Sequence, residues 1–218
     1  MIQTPWRQAA RQVAGASRAF AKGFVGLALI ALAALVFLPG AHAAAPITLE
    51  NQTFPGDAQV AGTALQLNGV GLRSAFIYKV YLAGLYLPAR ASDGAAVLAQ
   101  DGPKRLQVRL LMNGPSDEFA KAFTGGIAKR TPADQVAAMR DRIDAFDRTL
   151  REIGDLRKGD VIDLDYLPAR GLALTLNGKT RGTPVPGADL YSALLAIFLG
   201  DRPVDKALKT GLLGGPVS

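Results

Sequence analysis

The chain has few of the side chains that enzymes use most often for chemistry. It contains no cysteine and a single histidine, His42, in 218 residues. The absence of cysteine excludes disulfides, thiolate nucleophiles and cysteine zinc sites. If His42 is removed with a leader, histidine-dependent triads and histidine metal sites are excluded as well. Chemistry then depends on carboxylates, amines, guanidinium groups, hydroxyls and amides.

Three acids in one short stretch form the densest group of potential metal ligands. They are Asp160, Asp163 and Asp165. On a strand, Asp163 and Asp165 point to the same face, as two ligands of a metal ion would. Because no histidine accompanies them, we expect neither a metal site nor a cofactor.

The first 43 residues have the pattern of a secretory signal peptide. Four basic residues and no acid precede an uncharged apolar run of 15 residues at 24–38, and Ala41, His42 and Ala43 then give a small-x-small cleavage pattern. A membrane span needs about 20 apolar residues, so a retained N-terminal anchor is the less favoured alternative. The prediction is cleavage after Ala43, a single domain at 44–218, and a periplasmic or secreted location without a stable membrane anchor.

Most of the net charge of +7 belongs to that leader, because its four basic residues face no acid. The remaining chain has no basic run. Nucleic-acid binding needs clustered cations that neutralise phosphates, so we expect none here.

The first half of the predicted domain indicates strands followed by helices. Strands are expected at 59–67, ending in a turn at Asn68-Gly69, and at 74–87, either as one long strand or as two with a bend. Alternating apolar residues predict a strand at 105–112. Helices are expected at 93–99, and at 116–129 with Ser116 as its cap.

The second half indicates one long helix, more strands and two final helices. Thr131 and Pro132 predict the start of a helix that carries an apolar stripe as far as Gly154. Strands are expected at 160–166, 172–176 and 179–185, the last two joined at Asn177-Gly178, and helices at 187–199 and 204–213. Strand runs with grouped helices favour an α+β fold, an antiparallel sheet covered on one face by helices.

Several segments together resemble a known family. They are 68–73 (NGVGLR), 77–81 (IYKVY), 84–87 (GLYL), 158–166 (KGDVIDLDY) and 193–204 (ALLAIFLGDRPV). In this order and spacing they resemble the chalcone isomerase family, and within it an exported bacterial chalcone isomerase-like branch. The resemblance covers roughly 59–214. It implies an open-faced β-sandwich, a large antiparallel sheet carrying a layer of helices.

The resemblance also implies where a site lies. Plant members of the family cyclise chalcones, whereas other members bind fatty acids. The family's anion-holding guanidinium corresponds to Arg73, the plant catalytic threonine to Tyr81, and the plant catalytic tyrosine to Phe119. Two further polar positions correspond to Gly126 and Ile197. Three of these five residues have no hydrogen-bonding side chain, whereas cyclisation needs preorganised donors.

Arg73 and Tyr81 are therefore the candidate ligand-binding residues, and no catalytic residue is assigned. They are eight positions apart, so on an unbroken strand their side chains share a face. A guanidinium and a phenol together suit a carboxylate. The alternatives are a structural Arg73 paired with Asp163 or Asp165, and a Tyr81 that only packs in the core.

The leading hypothesis is a non-catalytic binder of a fatty acid or similar small apolar carboxylate. The first alternative is an intramolecular lyase or isomerase acting on a phenolic substrate. An interaction module with a filled cleft is the second alternative. The sequence names no protein partner.

Overall fold

A computed structural model describes residues 44–216 of the chain, so the predicted leader and cleavage site lie outside the described residues. The described strands are β1 (Ile47–Leu49), β2 (Gln52–Phe54), β3 (Asp57–Val60), β4 (Thr63–Ala75), β5 (Tyr78–Leu87), β6 (Lys104–Leu110), β7 (Gly114–Pro115), β8 (Asp155–Leu156), β9 (Val161–Leu167), β10 (Gly171–Leu176) and β11 (Lys179–Val185). The described helices are α1 (Gly94–Ala99), α2 (Ser116–Ala128), α3 (Ala133–Ala138), α4 (Arg140–Arg151), α5 (Ala188–Leu199) and α6 (Lys206–Leu212).

Seven strands form one antiparallel sheet in the order β11-β10-β9-β6-β5-β4-β3, and the pairs β1-β2 and β7-β8 lie outside it. Apolar residues of the sheet and of all the helices except α3 form the main buried core. The expected α+β class, a large antiparallel sheet with a helical layer, is confirmed. No helix in the described part combines the length and apolar character that crossing a bilayer requires.

The strands β4 and β5 correct one sequence prediction. Asn68-Gly69 is not a turn, because β4 continues through it to Ala75 and the chain reverses at Phe76-Ile77. Asn68 is buried, and its amide donates to the Leu212 carbonyl at 2.7 Å and to the Ala91 carbonyl. These partners lie far away in sequence, so local turn propensity could not reveal them.

The close packing of α6 on β4 also explains the glycine of the Asn68-Gly69 pair. A Cβ added to Gly69 would lie 2.1 Å from the Gly211 carbonyl oxygen, and one added to Gly71 would lie 2.5 Å from the Leu208 carbonyl oxygen. Both glycines are therefore needed for the contact between strand and helix. The Asn-Gly pair serves packing here rather than a hairpin.

The helices lie where the sequence predicted them, but some of them begin or end at other residues. Ser116 does not cap α2; Pro115 is the N-cap residue, and the Ser116 hydroxyl donates to the Arg151 carbonyl at 3.0 Å. The long helix predicted from Thr131 to Gly154 is interrupted at Met139, which separates α3 from α4. Its apolar stripe is buried as expected, at Met139, Ile143, Phe146 and Leu150.

The other sheet face carries a smaller apolar cluster and a polar network. Asp163 and Asp165 share this face, as the sequence predicted. Asp165 accepts two hydrogen bonds of 2.7 Å from Arg105, and Asp163 accepts one of 2.8 Å from Gln107. Both carboxylates are therefore satisfied by protein donors. The smaller cluster includes Phe54 of β2.

Candidate ligand-binding site

Arg73 and Tyr81 lie side by side on neighbouring strands. Arg73 of β4 is the direct antiparallel partner of Tyr81 of β5, so both side chains occupy the same face of the sheet. The prediction that they share a face is confirmed, although its premise of one unbroken strand is wrong. Tyr81 packs against the main core under the helices, which places the pair on the helix-covered face.

The partner of Arg73 is neither of the acids expected from the sequence. Its Nη1 lies 3.1 Å from Asp205 Oδ2, and it also donates to the Ser74 carbonyl. Asp163 and Asp165 belong to the opposite face of the sheet and cannot reach it. The arginine thus has a structural partner, but both side chains keep some exposure, 26% for Arg73 and 17% for Asp205.

Asp205 joins this site to helix α6. Its Oδ1 accepts a hydrogen bond of 3.0 Å from the Leu208 backbone, so the same carboxylate caps the helix and faces Arg73. Asp205 was not among the predicted site residues, because the sequence pattern placed the start of this helix at Val204. An aspartate just after Pro203-Val204 is itself an N-cap signal, and that signal could have identified it.

Tyr81 is half-buried and carries a protonated phenol. Burial raises the pKa of Tyr81 well above its usual value, although the nearby Arg73 guanidinium acts in the opposite direction. Within the described residues its hydroxyl makes no hydrogen bond. At neutral pH the phenol is therefore a donor available to an oxygen atom of a ligand.

A small cavity lies beneath Tyr81, between the sheet and the helices. Its volume is about 90 Å³. The lining residues are Tyr81, Phe119, Ala122, Phe123, Phe146, Leu164, Leu194, Ile197, Phe198 and Val204. The Tyr81 hydroxyl is the single polar side-chain group among them, so the cavity suits a hydrocarbon rather than a polar substrate.

A larger groove adjoins the cavity and opens to solvent. It has a volume of about 330 Å³ and shares Tyr81, Phe119 and Ala122 with the cavity. Val80, Leu110, Met112 and Leu156 give it an apolar lining, and Glu118 and Asn113 contribute polar groups. Tyr81 therefore stands where cavity and groove meet.

The positions that correspond to plant catalytic residues surround the same cavity. Phe119 and Ile197 line it, and neither offers a hydrogen bond. Gly126 lies behind Ile197; a Cβ at position 126 would be 2.7 Å from Ile197 Cδ1. This explains one of the two helical glycines of α2, since Gly126 makes room for Ile197.

Comparison with known proteins shows a family and similarity in fold to solved structures. The family model described as "Chalcone isomerase-like" matches residues 46–214. No curated protein matches the sequence. The crystal structure of an Arabidopsis thaliana fatty-acid binding protein is similar in fold, with a TM-score of 0.60 and 15% identity, over 77% of this chain and 95% of that one. Since the family model spans most of the sequence, this chain belongs to the chalcone isomerase-like family.

Proposed function

We propose that this protein is an exported, non-catalytic binder of a fatty acid or a similar small apolar carboxylate. The observation that carries the proposal is the position of Tyr81. Its phenol, which has no hydrogen-bond partner among residues 44–216, lies at the junction of an apolar cavity and an apolar groove, directly beside Arg73. A carboxylate at this point accepts one hydrogen bond from the phenol and one from the guanidinium.

The room for the ligand comes mainly from the groove. An apolar cavity of about 150 Å³ is needed to hold a benzene-sized molecule, and the inner cavity has only about 90 Å³. The groove, at about 330 Å³, falls in the range of small-molecule sites. In the proposed complex the head group lies at Tyr81 and most of the acyl chain lies along the groove.

Arg73 can contribute without leaving its partner. A guanidinium has five N–H donors, and here only Nη1 is engaged with protein groups in the described residues. The similarity to a plant fatty-acid binding protein supports the same class of ligand, on the basis of fold. Retained cyclisation is not proposed, because Phe119 and Ile197 offer no donor to a developing charge.

The direct test is calorimetric titration of delipidated protein with dodecanoate and with its methyl ester. We expect the carboxylate to bind more tightly, since only the anion gains from Arg73. Tyr81→Phe should weaken binding, whereas the exposed Tyr78→Phe is the matched control and should not. Equal binding of the acid and its methyl ester would contradict the proposed role of Arg73 and Tyr81 in holding the carboxylate. Saturable, stereoselective conversion of a chalcone would favour the enzyme instead.

Export is a separate part of the proposal and rests on residues 1–43. The protein recovered from the periplasm should begin at Ala44 or within two residues of it, which intact mass reads directly. Because Trp6 is the only tryptophan in the chain, the exported form should also show tyrosine-like emission. A full-length, membrane-bound product would contradict this part and leave the binding proposal standing.

A further inference from the structure

The hairpin between β4 and β5 ends in three consecutive exposed apolar side chains. Phe76 and Ile77 form the two-residue loop between the paired Ala75 and Tyr78. The exposed fractions are 103% for Phe76, 87% for Ile77 and 63% for Tyr78. Met112, also exposed, is the one other large apolar residue of this kind in the described chain. Contiguous exposed apolar groups of this sort mark interaction sites.

The backbone of this loop would favour a different residue. Phe76 has a φ of +54°. Two-residue hairpin loops that need a positive φ normally use glycine, asparagine or aspartate, and a bulky side chain there is disfavoured. The loop thus keeps a large apolar side chain where turn geometry alone would select glycine.

The apolar tip is followed on β5 by residues that line the groove. Val80 and Tyr81, which follow the tip on β5, line the groove, and so does Met112. The Leu111 amide donates to the Val80 carbonyl at 2.9 Å, which places the end of β6 beside this part of β5. The tip and the groove therefore lie at the same end of the sheet, where β4 and β6 end and β5 begins.

Basic side chains lie along the same end of the sheet. The Gly159 amide donates to the Leu110 carbonyl, so the loop with Arg157 and Lys158 comes next to the end of β6. Both side chains are exposed, and within residues 44–216 neither forms a salt bridge. Beside the tip, Lys79 is paired with Glu50 at 2.7 Å.

Lys179, which begins β11, lies further along the same end of the sheet, because the Asn177 amide donates to the Val161 carbonyl. Its side chain is also exposed, and it forms no salt bridge within the described chain. The nearby acids are Asp155, which is exposed, Asp160, which accepts hydrogen bonds from Asn177 and the Arg157 amide, and the groove residue Glu118, which is paired with Lys121 at 2.8 Å. Together with Arg157 and Lys158, this end of the sheet has a small excess of positive charge.

We propose that the tip, residues 76–78, inserts into the surface of a lipid bilayer that contains anionic lipids, so that the groove opens toward the bilayer. A narrow apolar projection that includes a tyrosine, beside exposed lysine and arginine, fits the interface of a membrane better than a flat protein surface. Exchange of a fatty acid with that bilayer rests on the proposed function, whereas insertion of the tip does not.

The test places a tryptophan at the tip of the full chain. Residues 24–38 are an apolar run that could bind vesicles by itself, so the readout must report the tip alone. In a Trp6→Phe background, Phe76→Trp gives a single reporter at the tip. Thr63→Trp is the matched control, since Thr63 is exposed and begins β4, about 40 Å from the tip.

We expect brominated lipid in phosphatidylcholine–phosphatidylglycerol vesicles to quench the tip reporter and not the Thr63 control. Phosphatidylcholine alone should give weaker quenching. In the Phe76→Trp chain, the further change Ile77→Ser should lower the equilibrium constant for insertion of the tip, as the reporter measures it, by roughly 10-fold. The reason is that an exposed isoleucine gains its burial energy only in the lipid. Dodecanoate affinity in the absence of vesicles should stay unchanged in Ile77→Ser.

Three results would overturn the proposal. The first is a tip reporter that stays unquenched while the chain is bound to vesicles. The second is equal quenching at Thr63. The third is a blue-shifted tip reporter without vesicles together with a dimer in ultracentrifugation, which would show that the tip contacts a second copy. The quenching and ultracentrifugation measurements use no free fatty acid, so failure of the binding proposal would be seen separately in the dodecanoate titration.

Discussion

Removing the negative charge of Asp205 should increase the affinity of the site for a carboxylate. Asp205 and a bound carboxylate share the Arg73 guanidinium, and the Asp205 charge offsets the attraction that the ligand gains from it, since Asp205 Oδ2 lies 3.1 Å from Nη1. Asp205→Asn is the appropriate change, because asparagine caps a helix as well as aspartate does and preserves the hydrogen bond to the Leu208 amide. The variant therefore changes charge while leaving α6 intact.

The size of the effect follows from distance and exposure. Two unit charges about 4 Å apart interact by about 4 kcal/mol at an effective dielectric constant of 20. Both side chains are partly exposed, 26% and 17%, and such ion pairs contribute nearer ~1 kcal/mol after solvent screening. If that interaction becomes available to the ligand, and Asp205 no longer repels it, affinity should rise roughly 5-fold.

The assay is calorimetric titration of delipidated protein with dodecanoate, with thermal melting to verify the fold of each variant. Asp201→Asn is the control, because it removes the same charge from an exposed residue four positions away. The methyl ester should bind wild type and Asp205→Asn equally. The reasoning fails if Asp205→Asn binds dodecanoate no more tightly than wild type, or if Asp201→Asn gives the same gain.

Three further changes test other parts of the structure. Arg73→Ala should weaken dodecanoate binding by about 10-fold, since it leaves Asp205 unpaired beside the anion; normal binding by a folded variant would make Arg73 purely structural. Gly125→Ala should stabilise α2 by up to ~1 kcal/mol because its Cβ meets open space, whereas Gly126→Ala should be less stable than Gly125→Ala because of Ile197; denaturant midpoints compare them, and equal values would contradict the packing argument. Stability should fall as pH rises above 10, because burial raises the pKa of Tyr86 to about 12 and the unfolded chain then loses the proton first; denaturation at pH 9 and pH 11 measures this, and Tyr86→Phe should reduce the loss.

Local patterns predicted much of the fold. The alternation at 105–112 identified β6 with Leu106, Val108 and Leu110 in the core, because a strand with one buried face needs period two. The Asn177-Gly178 hairpin formed as predicted, with both residues at positive φ. Such features depend on neighbours in the chain and are therefore readable without a structure.

Local turn signals gave a wrong prediction where groups distant in the chain bind the same residues. Asn68-Gly69 has the composition of a turn, yet the Leu212 carbonyl and helix α6 hold it within a strand. The true turn, Phe76-Ile77, has the composition of a strand. The local preference of a turn motif is worth about 1 kcal/mol. A buried hydrogen bond together with packing against the sheet contributes more than that to the stability of the strand.

The sequence by itself determined the fold class and the approximate positions of β6, β9, β10 and β11, because alternation and turn residues are local signals. Only the tertiary structure decided that Asp205 pairs with Arg73, that Gly126 makes room for Ile197, and that the cavity beneath Tyr81 is apolar. Each of these contacts joins residues from elements far apart in the chain. Their partners are set by how helices pack on the sheet, and no local propensity encodes that choice.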